Sequence, residues 1–459
     1  MPQTVPVVSR SRCFADSREM ANNPVRILSK YTELFGDTFR FYFGGVREAL
    51  VTTNPVVIQH VLKTNSENYH KSEIQVKRMG HFLGKGLLTS HGEVWRTQRR
   101  RIQKGFDRKQ LDVLSSIMQD SLADSLRDFD RQARIGSVDI YPHLMKITFG
   151  MVGKSLFGAP LKDEDVDLIS RTISTIQEFM VRQTIQPYLN PWFVVSGELR
   201  RHDEMRARAD GILLDYIRRR RQEAPCQDLL QILMDARYSD GEGMSDELVL
   251  SESMQLLVAG HETSSNALSW LLYLLSSRPD CVERLRDEFD LLGGAPLSYS
   301  DLPKFEFATQ VIQEALRLYP PFWMVDRMAL SDDRAGDLAI PRGSTVIVFI
   351  YGAHHSPRYW ENPESFDPER FTKANEKLHT PFTYLPFGAG PRGCIGGNYA
   401  MLQILMILSV LLRKYDLRLA PGQTIEARPM VILRPKHGIR MTFTEASTGE
   451  VTRHCTHMR

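Results

Sequence analysis

The sequence predicts a mainly α-helical protein with small β-sheets (α+β), and three observations carry that prediction. From about residue 55 to 318, apolar residues recur at the spacing of a buried helix face. Runs rich in β-branched and aromatic residues are confined to the two ends of the chain. No Gly/Ser-rich or Pro-rich tract, low-complexity run or internal repeat divides the 459 residues. A single domain over 1–459 is therefore expected, with 1–25 and 446–459 as flexible tails.

Taken in order, residues 38–43 and 49–53 flank Gly44-Gly45 and read as a hairpin. Periodic segments at 111–132, 163–182, 200–222 and 247–277 read as helices. The last of these has Ser245 as N-cap, Asp246 and Glu247 in its first turn, and Arg278-Pro279 at its far end. Inside it, Leu256-Leu257-Val258 gives way to Gly260 and the polar run His261-Glu262-Thr263-Ser264-Ser265-Asn266. Such a run is poor design for the middle of a long helix, and conflicts of this kind often mark function. It reads either as a solvated face or bend, or as a place where the helix opens locally and holds water. In the second reading Glu262 and the Thr263 hydroxyl deliver protons, and Gly260 leaves room for a ligand against the backbone. Strand-like runs return at 344–349 and near Ile432 and Met441, and a helix is expected at 399–412.

Composition bounds the function. Charged residues at 25% and hydrophobic residues at 42% are ordinary for a globular protein with a large core, and a net charge of +3 argues against nucleic acid as a partner. The basic cluster Arg96, Arg99, Arg100, Arg101, Lys104, Arg108 and Lys109 needs a local explanation. Cys13, Cys226, Cys281, Cys394 and Cys455 are odd in number, widely spaced and without a C-x-x-C pair. That excludes a disulfide scaffold or ribbon-type zinc site and fits a reducing cytoplasm. The polar N-terminus has no apolar signal region, and the apolar stretch 401–412 is interrupted by Gln403 and Ser409 and is too short for a membrane span. A soluble, cytoplasmic protein is expected.

The most informative stretch is Phe387-Gly388-Ala389-Gly390-Pro391-Arg392-Gly393-Cys394-Ile395-Gly396, which reads F-x-x-G-x-R-x-C-x-G. Gly390, Gly393 and Gly396 would let the loop turn tightly and bring backbone amides to the sulfur. The following helix would place partial positive charge near Cys394 and favour thiolate over thiol. Five such positions match by chance with probability on the order of 10⁻⁴ in a chain of ordinary composition. The bland alternative is an inert buried cysteine in a glycine-rich loop.

The stretch resembles the haem-binding loop of the cytochrome P450 family, and three further stretches match that family in order over roughly residues 30 to 440. Ala259-Gly260-His261-Glu262-Thr263-Ser264 resembles its oxygen-activation motif. Glu314-Ala315-Leu316-Arg317 resembles its E-x-x-R, and Phe366-Asp367-Pro368-Glu369-Arg370-Phe371 its P-E-R-F segment. The resemblance implies a cytochrome P450-like fold, with haem between a long distal helix and a proximal cysteine loop. It implies haem b as cofactor with the Cys394 thiolate as axial ligand, and Phe387 and Gly396 as loop residues beside it. Trp95 and Arg99 (W-x-x-x-R), Arg327 after Tyr319-Pro320-Pro321, and Arg392 would contact the propionates. Glu262 and Thr263 would be catalytic, and Arg370 would join Glu314 and Arg317 in a buried network pinning the cysteine loop.

The implied reaction inserts one oxygen atom of O2 into a C–H or double bond of a lipophilic small molecule. Phe82, Leu83, Leu87, Leu88, residues 322–325 and residues 430–432 would fall where relatives line the pocket. No flavin or nucleotide domain is evident, so a ferredoxin or flavodoxin-type donor plus reductase would supply electrons to a monomer of bacterial type. The basic cluster would steer that donor or is simply a solvated face. A peroxide-driven or isomerising haem-thiolate enzyme would need no Glu262-Thr263 pair, and a non-catalytic haem-binding protein would need no polar break in the helix.

Overall fold

In the computed structural model, which describes residues 5–72, 74–238 and 241–446, the two β-rich ends of the chain meet in one five-stranded sheet. Thr38–Phe43 pairs antiparallel with Arg47–Thr52. The turn between them uses Gly44 and Gly45 at φ 61° and 74°, the left-handed region a tight hairpin demands. Phe39 and Phe41 point into the core from alternate positions. Arg47–Thr52 then pairs in parallel with Thr345–Val348, Leu50 lying opposite Val346. Val325–Ala329 and Tyr69–His70 complete the sheet.

Of the flexible tail expected at 1–25, residues 5–25 instead fold against the sheet, and 1–4 lie outside the described residues. Helices Arg10–Ala15, Ser17–Asn22 and Pro24–Phe35 pack on the sheet, burying Val8, Cys13, Met20 and Val25 with Tyr31, Phe39 and Phe41. The polar average of this segment concealed a few apolar residues that share one face. At the other end, the Ala446 N–H still donates to the Lys414 carbonyl at 2.9 Å. The rest of the expected C-terminal tail, 447–459, lies outside the described residues.

The long periodic segments fold as helices Arg108–Ala133, Asp163–Ile185, Glu198–Arg220 and Asp246–Leu275. Helix Ile140–Phe157 escaped the periodicity argument because it is apolar on nearly every side. It packs most extensively against Asp246–Leu275, the long helix, which Glu306–Leu318 and Gly397–Lys414 also flank. The Ser245 hydroxyl caps the long helix by accepting from the Leu248 N–H at 3.3 Å. Near its far end Trp270 stacks face to face on Tyr319 at 4.0 Å and donates to the Leu433 carbonyl at 3.0 Å. Among the described residues no helix is long and apolar enough to cross a membrane.

Candidate active site

The cysteine loop runs from a 3-10 turn, Gly390–Arg392, to the start of Gly397–Lys414. Gly388 and Gly390 sit at φ 68° and 66°, a region that side-chain-bearing residues avoid. A Cβ on Gly390 would stand 1.8 Å from the Leu62 carbonyl oxygen. The tight turn expected of Gly393 and Gly396 belongs instead to these two, since Gly393 and Gly396 take ordinary φ values of −57° and −93°. The Cys394 N–H donates to the Phe387 carbonyl at 2.8 Å, and the Gly396 N–H is directed at the Cys394 sulfur. Burial pushes the thiol up, against the opposing effects of that N–H and of Arg99. The amide at the helix start thus favours thiolate but is outweighed by burial, and a cation on the open side of the sulfur would add to its effect. That open side faces a cavity of about 1000 Å³, large enough for a cofactor and a substrate together.

Lys71, Arg99, Arg327 and Arg392 line this cavity together with Trp95. Arg99, on helix Gly92–Ile102, donates to the Gly393 carbonyl at 2.8 Å and so ties that helix to the cysteine loop. Arg392 lies 4.2 Å above the Trp95 ring and donates to the Ser90 carbonyl at 3.3 Å. Arg327 donates to the Asp326 carbonyl at 2.7 Å, and Lys71 to that of Leu88. Burial, then Arg392 and Arg327, push Lys71 down to about 7; burial, then Arg327 and Arg99, push Arg392 down to about 10. The buried carboxylate of Asp326 accepts from Ser72 and is the nearby anion among these groups. The surplus positive charge suits a group bearing two carboxylates, as haem does. Among the described residues no group of three or more His, Cys, Asp or Glu could hold a bare metal ion. A metal at Cys394 would thus bring its other ligands with it. Lys71 was invisible in the sequence, where it is one lysine in an irregular segment.

On the opposite wall, Ala259, Gly260, Glu262, Thr263 and Ser264 face the cavity from the long helix. The expected local opening is absent: Asp246–Leu275 is continuous. Its polar side chains bond back along the helix instead. The Thr263 hydroxyl donates to the Ala259 carbonyl at 2.7 Å, and Ser265 and Asn266 donate to that of Glu262 at 2.9 and 2.8 Å. Gly260 serves helix packing as well as ligand space, because a Cβ there would lie 2.9 Å from Val152. Buried Glu262 accepts from the Gln177 amide at 2.6 Å through one carboxyl oxygen, while the other has no partner among the described residues. Burial raises its pKa, against Gln177 and Arg434. A protonatable carboxyl with one oxygen free beside a hydroxyl can pass a proton into the cavity. His261 packs edge-on against Phe149 at 5.0 Å and is held neutral by burial, its pKa about 4.

Behind the cysteine loop, Glu314, Arg317 and Arg370 form the expected buried network. Arg317 donates to both Glu314 carboxyl oxygens at 2.6 and 2.8 Å, and Arg370 to one of them at 3.3 Å. His354, which the sequence did not single out, carries the network onward. Its Nδ1 donates to the Arg317 carbonyl at 3.1 Å and its Nε2 accepts from the Leu385 N–H at 2.8 Å, just ahead of the cysteine loop. Accepting at Nε2 requires a neutral ring, and burial pushes its pKa down to about 3.

The apolar segments expected to line a pocket, Phe82, Leu83, Leu87, Leu88, 322–325 and 430–432, do come together on this cavity. Ile173, Ile176 and Met180 join them from helix Asp163–Ile185, where helical spacing had made them look like ordinary core. Of the basic cluster, Arg99 turns inward, Arg96 pairs with Glu67 and Glu93, and Arg101 covers Tyr238 at 3.8 Å. Arg100, Lys104, Arg108 and Lys109 remain exposed.

Comparison with known proteins agrees with this fold. Residues 12–443 match the family model described as Cytochrome P450. Cyclooctat-9-en-7-ol 5-monooxygenase of Streptomyces melanosporofaciens is 30% identical over 390 residues, covering 83% of each chain. The human ultra-long-chain fatty acid omega-hydroxylase is 28% identical over 425 residues, covering 87% of this chain and 80% of its own. The crystal structure of the cytochrome P450DA haem domain shares the fold, with a TM-score of 0.83 at 21% identity over 96% of both chains.

Proposed function

The chain belongs to the cytochrome P450 family and is a haem-thiolate monooxygenase, and from that premise we propose that Cys394 ligates the haem iron and that the substrate is a lipophilic small molecule. The observation that carries the assignment is the shared cavity. The Cys394 sulfur, the cations Arg99, Arg327 and Arg392, and the acid-hydroxyl pair Glu262-Thr263 all open onto it. The bound haem supplies the activation of O2 and the transfer of one oxygen atom to a C–H or double bond.

The protein's own residues do the rest. The Gly396 N–H spreads the sulfur's charge, Arg99 adds a cation beside it, and Arg99, Arg327, Arg392 and Lys71 would hold the propionates, with Trp95 lining the same wall. Apolar side chains from 322–325 and 430–432 hold the substrate and exclude water. Glu262 holds a proton readily because it is buried, and Thr263 lies one residue away to receive it through ordered water once its hydroxyl leaves the Ala259 carbonyl. A peroxide-driven or isomerising enzyme would have no use for that pair.

Members of the family need redox partners and O2. A ferredoxin or flavodoxin-type donor with its reductase fits the exposed Arg100, Lys104, Arg108 and Lys109, because Phe106 in the same segment lies against Gly396 of the cysteine loop. The described cysteines are all free, which supports a reducing, cytoplasmic setting. The test is Thr263→Ala, assayed with redox partners. It is expected to keep the wild-type haem spectrum while diverting reducing equivalents from organic product to peroxide; unchanged coupling would remove Thr263 from proton delivery.

A further inference from the structure

We propose that Met324 and Met430 form a reversible oxidation site in the cavity wall, where hydrogen peroxide converts both thioethers to sulfoxides and so weakens the binding of apolar substrates. The proposal rests on the reading above, in which a lipophile occupies this cavity, and adds a regulation of that same site.

Two loops build this part of the wall. Residues 321–324 lead into strand Val325–Ala329, and residues 430–432 join strands Ala427–Pro429 and Leu433–Pro435. The loops are bonded to each other: the Trp323 indole N–H donates to the Met430 carbonyl at 2.9 Å, and the Leu433 N–H to the Pro321 carbonyl at 2.8 Å. Trp323 is itself buried edge-on against Phe349, so the frame that carries the two methionines is fixed. Met324 and Met430 are half-buried and line the cavity that also contains Cys394. Met20, Met180 and Met254 line it too, but are at most 5% exposed. An oxidant that enters the cavity therefore meets the thioethers of the two loops more readily than those three.

In the step itself the thioether sulfur bonds to one oxygen of H2O2, the O–O bond breaks, and the second oxygen leaves as water. Sulfur loses two electrons and peroxide gains them, so no further reactant is needed. The oxidant is the peroxide a monooxygenase releases when reducing equivalents miss the substrate, and it is formed at this cavity. Oxidation turns a flexible apolar side chain into a polar one. The adjoining Phe322, Val325, Val431 and Ile432 offer the new oxygen no side-chain donor, and the Trp323 N–H is already engaged. An apolar ligand seated there must strip water from the sulfoxide, which costs affinity. A sulfoxide reductase would restore the thioethers and, with them, binding.

The test exposes the haem-loaded enzyme to hydrogen peroxide, maps sulfoxides by peptide mass spectrometry, and titrates 1-dodecanol against the ferric Soret band before and after. Met324 and Met430 should each gain one oxygen while the thiolate-type Soret persists, and the affinity should fall about tenfold or more. Methionine sulfoxide reductases A and B together should restore it. In Met324→Leu/Met430→Leu, whatever its starting affinity, peroxide should leave that affinity where it was. Met79→Leu/Met328→Leu, which alters the other two half-buried methionines of the cavity, should lose affinity as the wild type does. Unmodified Met324 and Met430, haem bleaching that precedes either sulfoxide, unchanged affinity with both oxidised, or a loss that persists in Met324→Leu/Met430→Leu would overturn the site. A thiolate-type Soret that 1-dodecanol does not move before peroxide would overturn the lipophile reading and this site with it, leaving the haem-thiolate assignment intact. Absence of a thiolate-type Soret would instead strike down that assignment as well.

Discussion

Replacing Arg317 by methionine removes a cation from a place where every one of its N–H groups is used. Nε and Nη2 donate to Glu314 at 2.6 and 2.8 Å; the remaining donors reach the carbonyls of His354, Pro363 and Ser365 at 2.9, 2.7 and 3.1 Å. Both charged side chains are 0% exposed. Deleting one partner of a buried pair costs about 3–5 kcal/mol. Arg370 and the Asp367 N–H still reach Glu314, at 3.3 and 2.9 Å, which favours the lower end of that range. Three buried carbonyls also lose a donor, at about 1 kcal/mol or more each. The sum, about 6 kcal/mol, is comparable with the whole stability of a folded domain. Arg317→Met is therefore expected to give protein that neither unfolds cooperatively nor takes up haem. Glu314→Met/Arg317→Met, which removes the stranded charge, should recover several kcal/mol despite changing more atoms. Urea unfolding followed by circular dichroism and by the Soret band would measure both. A single variant within about 1 kcal/mol of wild type, or a double variant no more stable than the single, would refute the reasoning.

Two further predictions concern pH. His354 has its pKa lowered from 6.5 to about 3 by burial, so the unfolded chain binds its proton first. Its contribution is complete above pH 6.5 and is lost as pH falls toward 3, by up to about 1.4 kcal/mol per pH unit. The urea midpoint of His354→Asn should fall less steeply with acidification across that window than the wild-type midpoint does, and parallel profiles would contradict it. Glu252 is shifted the other way, from 4.5 to about 7 by burial, while one carboxyl oxygen accepts from the Leu87 N–H at 3.1 Å. Stability is thus lost as pH rises from about 4.5 to 7. Glu252→Gln should raise stability at alkaline pH by up to about 3 kcal/mol and have little effect in acid; equal effects at both ends would rule out desolvation as the cause.

What could be read in the sequence was whatever is local along the chain. The helices at 111–132 and 163–182 were legible because each buries one stripe, whereas Ile140–Phe157 was not, because burial on all sides erases the stripe. The hairpin around Gly44-Gly45 was legible; its parallel union with Thr345–Val348 was not, since such pairing has no signature in either strand. The cysteine loop and the polar run in the long helix stand out because their residues are contiguous. Lys71, Gln177 and His354 do not, since each takes its significance from a partner distant in sequence. The continuous helix at Thr263 shows a further limit: a polar run signals that side chains compete with the backbone but not how the competition ends.

The central claim is that one sulfur, Cys394, ligates the haem. The most direct measurement is the ferric Soret spectrum of haem-loaded wild type and of Cys394→Ser, with Cys13→Ser, Cys226→Ser and Cys281→Ser as controls for the other described cysteines. A thiolate-type spectrum in the wild type and all three controls, lost only in Cys394→Ser, is the predicted result. A thiolate-type spectrum that persists in Cys394→Ser would contradict the account at its root.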